Sequence, residues 1–301
     1  MTGGTREVEV VRSGWLTTVQ DGGRRGLAHL AIPASGALDR PAWRLANQLV
    51  GNPEGVAGLE TTLTGVAVRA GTSCAVAVTG APAPVSVDGR PARWGAPVEL
   101  GPGQVLDVGT ATDGLRSYVA VSGGIAVSPV FGSRATDLLS GLGPPALTDG
   151  SVIPLGDDPG PPPPQGQAPL PPPSLSLTLR LYPGPRQDWL TEVGLGALVN
   201  QSWAVASASN RIGIRLDGPS LERARTEELP SEGVVLGAVQ LLPDGRPLVF
   251  LADHPTTGGY PVVGVVDEGD LPACAQARPG TPVRFQLRPA PWAAFQPAAH
   301  G

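Results

Sequence analysis

Nine of the nineteen residues from Gly156 to Ser174 are proline. Each proline fixes φ and removes a backbone donor, so this stretch favours polyproline II and cannot pair inside a sheet. Any fold must therefore be built on either side of it: an N-terminal part over 1–155 and a C-terminal part over 175–301. The run itself, 156–174, reads as a semi-rigid linker that could reach about 60 Å at ~3.1 Å per residue. Docking into a partner's aromatic groove is the alternative use of such a run.

On both sides the chain reads as strands between turns. Cys74–Thr79 and Ser117–Ser122 are short apolar runs stopped by glycine, and Asp88-Gly89 is a hairpin signal. Beyond the linker, Leu175–Leu181 alternates strictly, the pattern of a half-buried strand. Pro247–Ala252 and Val262–Val266 follow, with Asp244-Gly245 as another turn. Pro102-Gly103 and Pro279-Gly280 each feed a strand-like run. Helices are few. The best spans about Arg40 to Val50, with Asp39 as N-cap, Pro41 in the first turn and Gly51 at the end. A second, over Thr191 to Val199, is weakened by Gly194 and Gly196.

Composition narrows the chemistry. Gly (42) and Pro (35) are abundant, yet 41% of residues are hydrophobic, which fits a turn-rich β protein better than disorder. Net charge is −5, with no basic cluster longer than Arg24-Arg25, so neither nucleic acid nor a membrane is an expected partner. The segment Met1 to Val11 lacks the apolar core of a signal peptide, and cytoplasm is the expected location. Cys74 and Cys274 read as buried small apolar residues. All 21 basic residues are arginine. Without lysine there is no P-loop, no Schiff base and no covalent attachment point for biotin. No His, Cys and carboxylate spacing suits a metal, and no nucleophile elbow is present.

Three stretches could carry chemistry. Leu16 to Asp39 sets Gln20, Asp21, Arg24, Arg25 and Ser35 among glycines just before a helix. Backbone amides and a guanidinium fork there suit an anion. The plain alternative is an Asp–Arg pair holding a Gly-rich loop, with Asp39 only capping. Ser209 to Pro219 brings Asn210 and Arg211 to the start of a strand. Leu251 to Pro261 runs from a strand into Asp253, His254, two threonines and two glycines. That suits an oxyanion or phosphate, or else a wide turn whose hydroxyls cap their own backbone.

Taken in order, several strings resemble one family. They are Leu16–Arg24, Pro33–Asp39, Leu45–Pro53, Leu59–Leu63, Val121–Ile125, Phe131–Arg134, Ser209–Gly213 and Thr256–Pro261. The family is allophanate hydrolase subunit 2, or carboxyltransferase C and D subdomain, which includes the 5-oxoprolinase C subunit and the antagonist of a sporulation kinase inhibitor. The resemblance implies a mostly β fold of two cyclophilin-like barrel halves with a few short helices. It implies one chain of an amidohydrolase, active only with a partner: subunit 1, which is a kinase-inhibitor-like chain, and the A subunit in a 5-oxoprolinase. ATP would be a substrate of that complex, alongside a small amide. A carboxyltransferase component of a biotin-dependent urea-type carboxylase, or a non-catalytic regulator binding a kinase inhibitor, fits the same motifs.

By family position, the resemblance implies catalytic roles for Asp21, Arg24, Glu60, Arg211 and Asp253. It implies substrate or phosphate binding by Gln20, Ser35, Asn210, Thr256, Thr257, Gly258 and Tyr260, and no metal. Arg24 and Arg211 would hold anionic groups, and Asp21 or Asp253 would orient the donors. His254 is given no role. 5-Oxoproline, urea, allophanate and the biotin ring share an N–C=O unit, so donors aimed at its oxygen are the common requirement.

Overall fold

A computed structural model describes residues 6–160 and 173–289. The chain divides into two compact units, Met1–Ser174 with Ala275–Ala277, and Leu175–Cys274 with Arg278–Gly301. Most of the expected linker, 161–172, lies outside the described residues.

The first unit holds strands β1 (Glu7–Arg12), β2 (Leu16–Gln20), β3 (Gly58–Thr62), β4 (Ala67–Ala70), β5 (Cys74–Gly80) and β6 (Val85–Val87). It continues with β7 (Arg90–Ala92), β8 (Pro97–Leu100), β9 (Val105–Val108), β10 (Arg116–Val121) and β11 (Val152–Pro154). They form a six-stranded sheet, β11-β1-β4-β9-β6-β7, and a five-stranded sheet, β2-β3-β10-β5-β8. β5 and β10 are buried on both faces, and their alternation shows why. Val76, Val78, Val119 and Val121 join the larger apolar core with Val8, Val68 and Leu106. Ala75, Ala77, Tyr118 and Ala120 point the other way, against helix α1 (Arg40–Leu49). The alanines leave room for the helix, which seats Ala42, Trp43, Ala46 and Leu49 on them. Asp39 caps that helix, its side chain accepting from the Ala42 N–H at 3.0 Å.

The second unit holds β12 (Leu177–Pro183), β13 (Trp203–Val205), β14 (Gly213–Asp217), β15 (Glu232–Gly233), β16 (Ala238–Leu241) and β17 (Pro247–Phe250). β18 (Thr257–Gly258), β19 (Val262–Val266) and β20 (Pro282–Leu287) complete it, with helix α2 (Glu192–Asn200); helix α3 (Leu271–Gln276) begins in this unit, and its last two residues, Ala275 and Gln276, group with the first. Seven strands close into a barrel, β12-β19-β16-β17-β14-β13-β20, and β15 pairs β18 in a separate ribbon. Leu177, Leu179 and Leu181 are the buried face of β12, as the alternation requires. The expected mostly β fold with barrel architecture is met: the second unit closes, and the first keeps its strands in two sheets.

α2 forms despite Gly194 and Gly196. Thr191 caps it through the Gly194 N–H, and a Cβ on Gly194 would lie 2.3 Å from the Glu222 carbonyl oxygen. Close backbone approach explains that glycine.

Candidate functional site

In the first unit, β2 ends at Gln20 and the chain turns through Asp21 to Arg24. Gln20 is fully buried, and its Nε2 donates to Thr18 Oγ1 at 3.0 Å and to the Thr136 carbonyl at 2.9 Å. Ser35 Oγ donates to the same carbonyl at 3.0 Å. Asp21 accepts three hydrogen bonds: Gly23 N–H at 2.8 Å, Ser133 Oγ at 2.6 Å and Arg134 N–H at 2.6 Å. Arg24, 2% exposed, donates through Nε to the Val130 carbonyl at 3.0 Å and through Nη2 to the Ala135 carbonyl.

Two stretches far apart in sequence, 20–36 and 130–136, are thus tied into one knot. The glycines make it possible. A Cβ on Gly23 would lie 2.4 Å from the Ser35 carbonyl oxygen, and one on Gly36 would lie 2.9 Å from the Gly23 nitrogen. Main-chain bonds from Arg24 N–H to Ala34 O (2.7 Å) and Ala37 N–H to Asp21 O (2.9 Å) close the gap. Ser35 itself has φ +52°, outside the usual range for a residue with a side chain.

Glu60 belongs to a neighbouring cluster reached through the same loop. Its Oε2 accepts from Tyr118 Oη at 2.8 Å and from the Leu38 N–H at 3.0 Å, and Arg116 Nε lies 3.6 Å from Oε1. Tyr118 Oη in turn accepts from the Asp39 N–H at 2.7 Å. Gln276, in the short segment that groups with this unit, donates to Asp39 Oδ2 at 2.8 Å. Burial pushes the Asp39 carboxyl above its ordinary value and the Tyr118 hydroxyl well above its own.

In the second unit, Arg211 and Asp253 form a two-pronged pair, Nε to Oδ2 and Nη2 to Oδ1, each 3.0 Å. Main-chain bonds from Asp253 N–H to Arg211 O and from Leu251 N–H to Ile212 O extend the β14–β17 pairing into the loops that carry them. Asn210 is exposed; its Oδ1 accepts from the Ile212 N–H at 2.8 Å and so shapes its own turn. Thr256 and Gly258 are half-buried, while Thr257 and Tyr260 are exposed along the β15–β18 ribbon. Gln240, 2% exposed, supports this ribbon by donating to the Tyr260 carbonyl at 3.1 Å. His254 is buried, its Nδ1 2.7 Å from the Pro255 carbonyl oxygen.

The twelve expected positions therefore fall into groups. Gln20, Asp21, Arg24 and Ser35 meet in the knot, and Glu60 in the cluster beside it. Arg211 and Asp253 meet each other, Thr256, Thr257, Gly258 and Tyr260 lie in or beside the ribbon, and Asn210 shapes its own turn apart from them. Ser133, Arg134, Thr136, Tyr118, Gln276 and Gln240 complete these groups, and sequence reasoning assigns them no role. The string Phe131–Arg134 is their one visible trace. Among the described residues no cluster of three or more His, Cys, Asp or Glu could hold a metal.

This arrangement, a strand sandwich and a closed barrel with glycine-rich loops at their strand ends, is that of a carboxyltransferase-type domain. The family model described as carboxyltransferase domain, subdomain A and B, matches residues 30–287, and the chain belongs to that family. The matching subdomains are A and B, whereas the motif resemblance names C and D. The chain is 38% identical over 92% of its length to the 5-oxoprolinase C subunit of Escherichia coli (strain K12), covering 90% of it. Among solved structures, the Kluyveromyces lactis urea amidolyase superposes with a TM-score of 0.88 at 30% identity over 95% of this chain. TTHA0988 superposes at 0.85 with 35% identity over 94%. The chain spans 19% of the amidolyase chain and 55% of TTHA0988.

Proposed function

We propose that this chain is one component of an ATP-dependent complex that opens an amide or lactam of the 5-oxoproline type. The reading is carried by the 38% identity to the 5-oxoprolinase C subunit, which extends over nearly the full length of both chains. In such a reaction the lactam C–N bond breaks. Oxygen from one water ends on the carbonyl carbon, the nitrogen keeps the bond electrons and gains a proton, and a second water is consumed as ATP yields ADP and phosphate. The difficult step is loss of N–C=O resonance, which donors at the carbonyl oxygen ease.

Thr256, Thr257, Gly258, Tyr260 and Asn210 are the groups proposed to meet the substrate or a phosphate. Arg211 bonds Asp253, while Arg24 and Asp21 each bond the stretch 130–136, and these contacts hold the loops. Gln20, Ser35 and Glu60 shape the first unit's loop in the same way. This chain has no lysine, so a lysine contact to ATP would come from a partner chain, subunit 1 or the A subunit of a 5-oxoprolinase.

Co-expression with those partners and assay with 5-oxoproline and ATP tests the reading: glutamate is the expected product. Thr257→Val, which keeps the side chain's shape and removes its hydroxyl, is expected to lower kcat with the complex intact. A purified complex that leaves 5-oxoproline untouched overturns the reading. The second reading, carboxyl transfer, is favoured by the family description and by the amidolyase superposition. It requires a biotinylated carrier protein in the complex, which streptavidin blotting detects.

A further inference from the structure

The β15–β18 ribbon pairs two residues on each strand, Glu232 with Gly258 and Gly233 with Thr257. A two-stranded ribbon that short is marginal in water on its own. It stands apart from the closed barrel sheet, so contacts outside it must fix where Thr256 to Tyr260 lie. On the β18 side the anchor is Gln240 of barrel strand β16, whose Nε2 donates to the Tyr260 carbonyl at 3.1 Å. On the β15 side the anchor is Arg186.

The Arg186 guanidinium grips the Glu232 carboxylate with two prongs, Nε to Oε2 at 3.0 Å and Nη2 to Oε1. Its backbone is fixed separately: the Arg186 N–H donates to the Val262 carbonyl at 3.0 Å, two residues past Tyr260. Gly184 permits that approach, since a Cβ there would lie 2.4 Å from the same carbonyl oxygen. One residue thus holds both limbs of the ribbon. Its main chain takes the limb that runs on into β19, and its side chain takes the strand that pairs with Gly258.

Folding stability does not account for this pair. The two side chains are 35% and 30% exposed, and ion pairs open to water contribute little. What a two-pronged contact does supply is a fixed angle as well as a fixed distance. We infer that Arg186 and Glu232 are positioning residues for the Thr256–Tyr260 ribbon, aiming the Thr257 hydroxyl and the Gly258 backbone at the substrate carbonyl or phosphate. The inference rests on the amide-opening reading above, and neither residue touches the substrate in it. Misplacing such donors by about 1 Å costs on the order of a hundredfold in rate, so a pair that adds little to folding still governs turnover.

The test compares wild type, Arg186→Gln, Glu232→Gln and the double variant. Each is co-expressed with both partner chains for kinetics with 5-oxoproline and ATP, and purified alone for Tm and amide exchange. Every variant should keep Tm within about 3 °C of wild type. Exchange across residues 256–260 should quicken by about fivefold or more. In the complex, kcat should fall on the order of tenfold while KM for 5-oxoproline stays within about threefold. The double variant should lose no more than the worse single, because the two side chains act through each other. Normal kcat in the single variants overturns the inference and leaves the amide-opening reading intact. A fall in kcat with exchange unchanged also overturns it, in favour of direct contact with substrate, as does a double variant whose loss is the sum of the two singles. A wild-type complex that leaves 5-oxoproline untouched overturns the reading and the inference together.

Discussion

Arg211 and Asp253 face each other through two parallel N–H···O bonds of 3.0 Å, with side chains 1% and 0% exposed. A guanidinium taken fully out of water survives only if a carboxylate matches its fork. The pair therefore locks the loops after which the Thr256–Tyr260 ribbon begins.

Removing one partner leaves a buried charge. Arg211→Ala or Asp253→Ala is expected to cost about 3–5 kcal/mol. Arg211→Met with Asp253→Leu should recover much of that loss, since both charges are gone. Chemical denaturation of the four proteins checks this. A double variant no more stable than the singles would show that the pair is not the source of the loss.

A side chain at Gly258 would push against the end of Gln240. Its Cβ would stand 2.7 Å from Gln240 Nε2. Gly258→Ala is expected to displace Gln240 from the Tyr260 carbonyl and lower activity of the assembled complex. Gln240→Ala loses the same bond without a clash, so it should lower amide-exchange protection at Thr257 and Gly258 to a similar degree, and full protection in that variant would refute this account.

Asp39 makes the first unit sensitive to pH. Burial raises its carboxyl above 3.8, so the folded state holds the proton more tightly than the unfolded chain does. Its contribution to stability is complete below 3.8 and declines as pH rises through the raised value. Asp39→Asn should lower Tm at pH below 3.8, through loss of the Gln276 bond, and the deficit should shrink as pH rises above 3.8, because the variant has no carboxyl to ionise. Parallel Tm profiles for wild type and variant would contradict this assignment.

Both thiols should be inert in the folded protein. Burial pushes Cys74 to about 11 and Cys274 to about 12, so thiolate is scarce at pH near 8. Iodoacetamide is expected to label neither residue natively and both in guanidinium, as mass spectrometry would read. Rapid native labelling of Cys274 would show that α3 opens locally.

Local signals carried far in this chain. The Asp39 cap and its apolar stripe predict α1 over 40–50, and it spans Arg40–Leu49. Alternation places β12, and the run Val262–Val266 is β19 residue for residue. Asp88-Gly89 is the hairpin its dipeptide specifies. What stayed hidden is pairing over distance. Nothing in the sequence around Asp21 names Ser133 as its partner, and nothing around Asp39 names Gln276, 237 residues away. The plain alternative for the first stretch, an Asp–Arg arrangement holding a Gly-rich loop, describes the observed bonds well. Asp21 and Arg24 do not bond each other in it; each reaches instead to the stretch 130–136.

The parallel pairing of β12 with β20, Leu177 beside Val283, dictates an order of events. During synthesis the first strand of the barrel can pair β19 on one side, but its other edge must wait until the seventh strand leaves the ribosome. Such long waits slow folding and expose strand edges. A chain cut at Gly280 would keep six strands yet present two open edges, so aggregation is the fate to expect of a nascent or proteolysed fragment that stops short of Pro282.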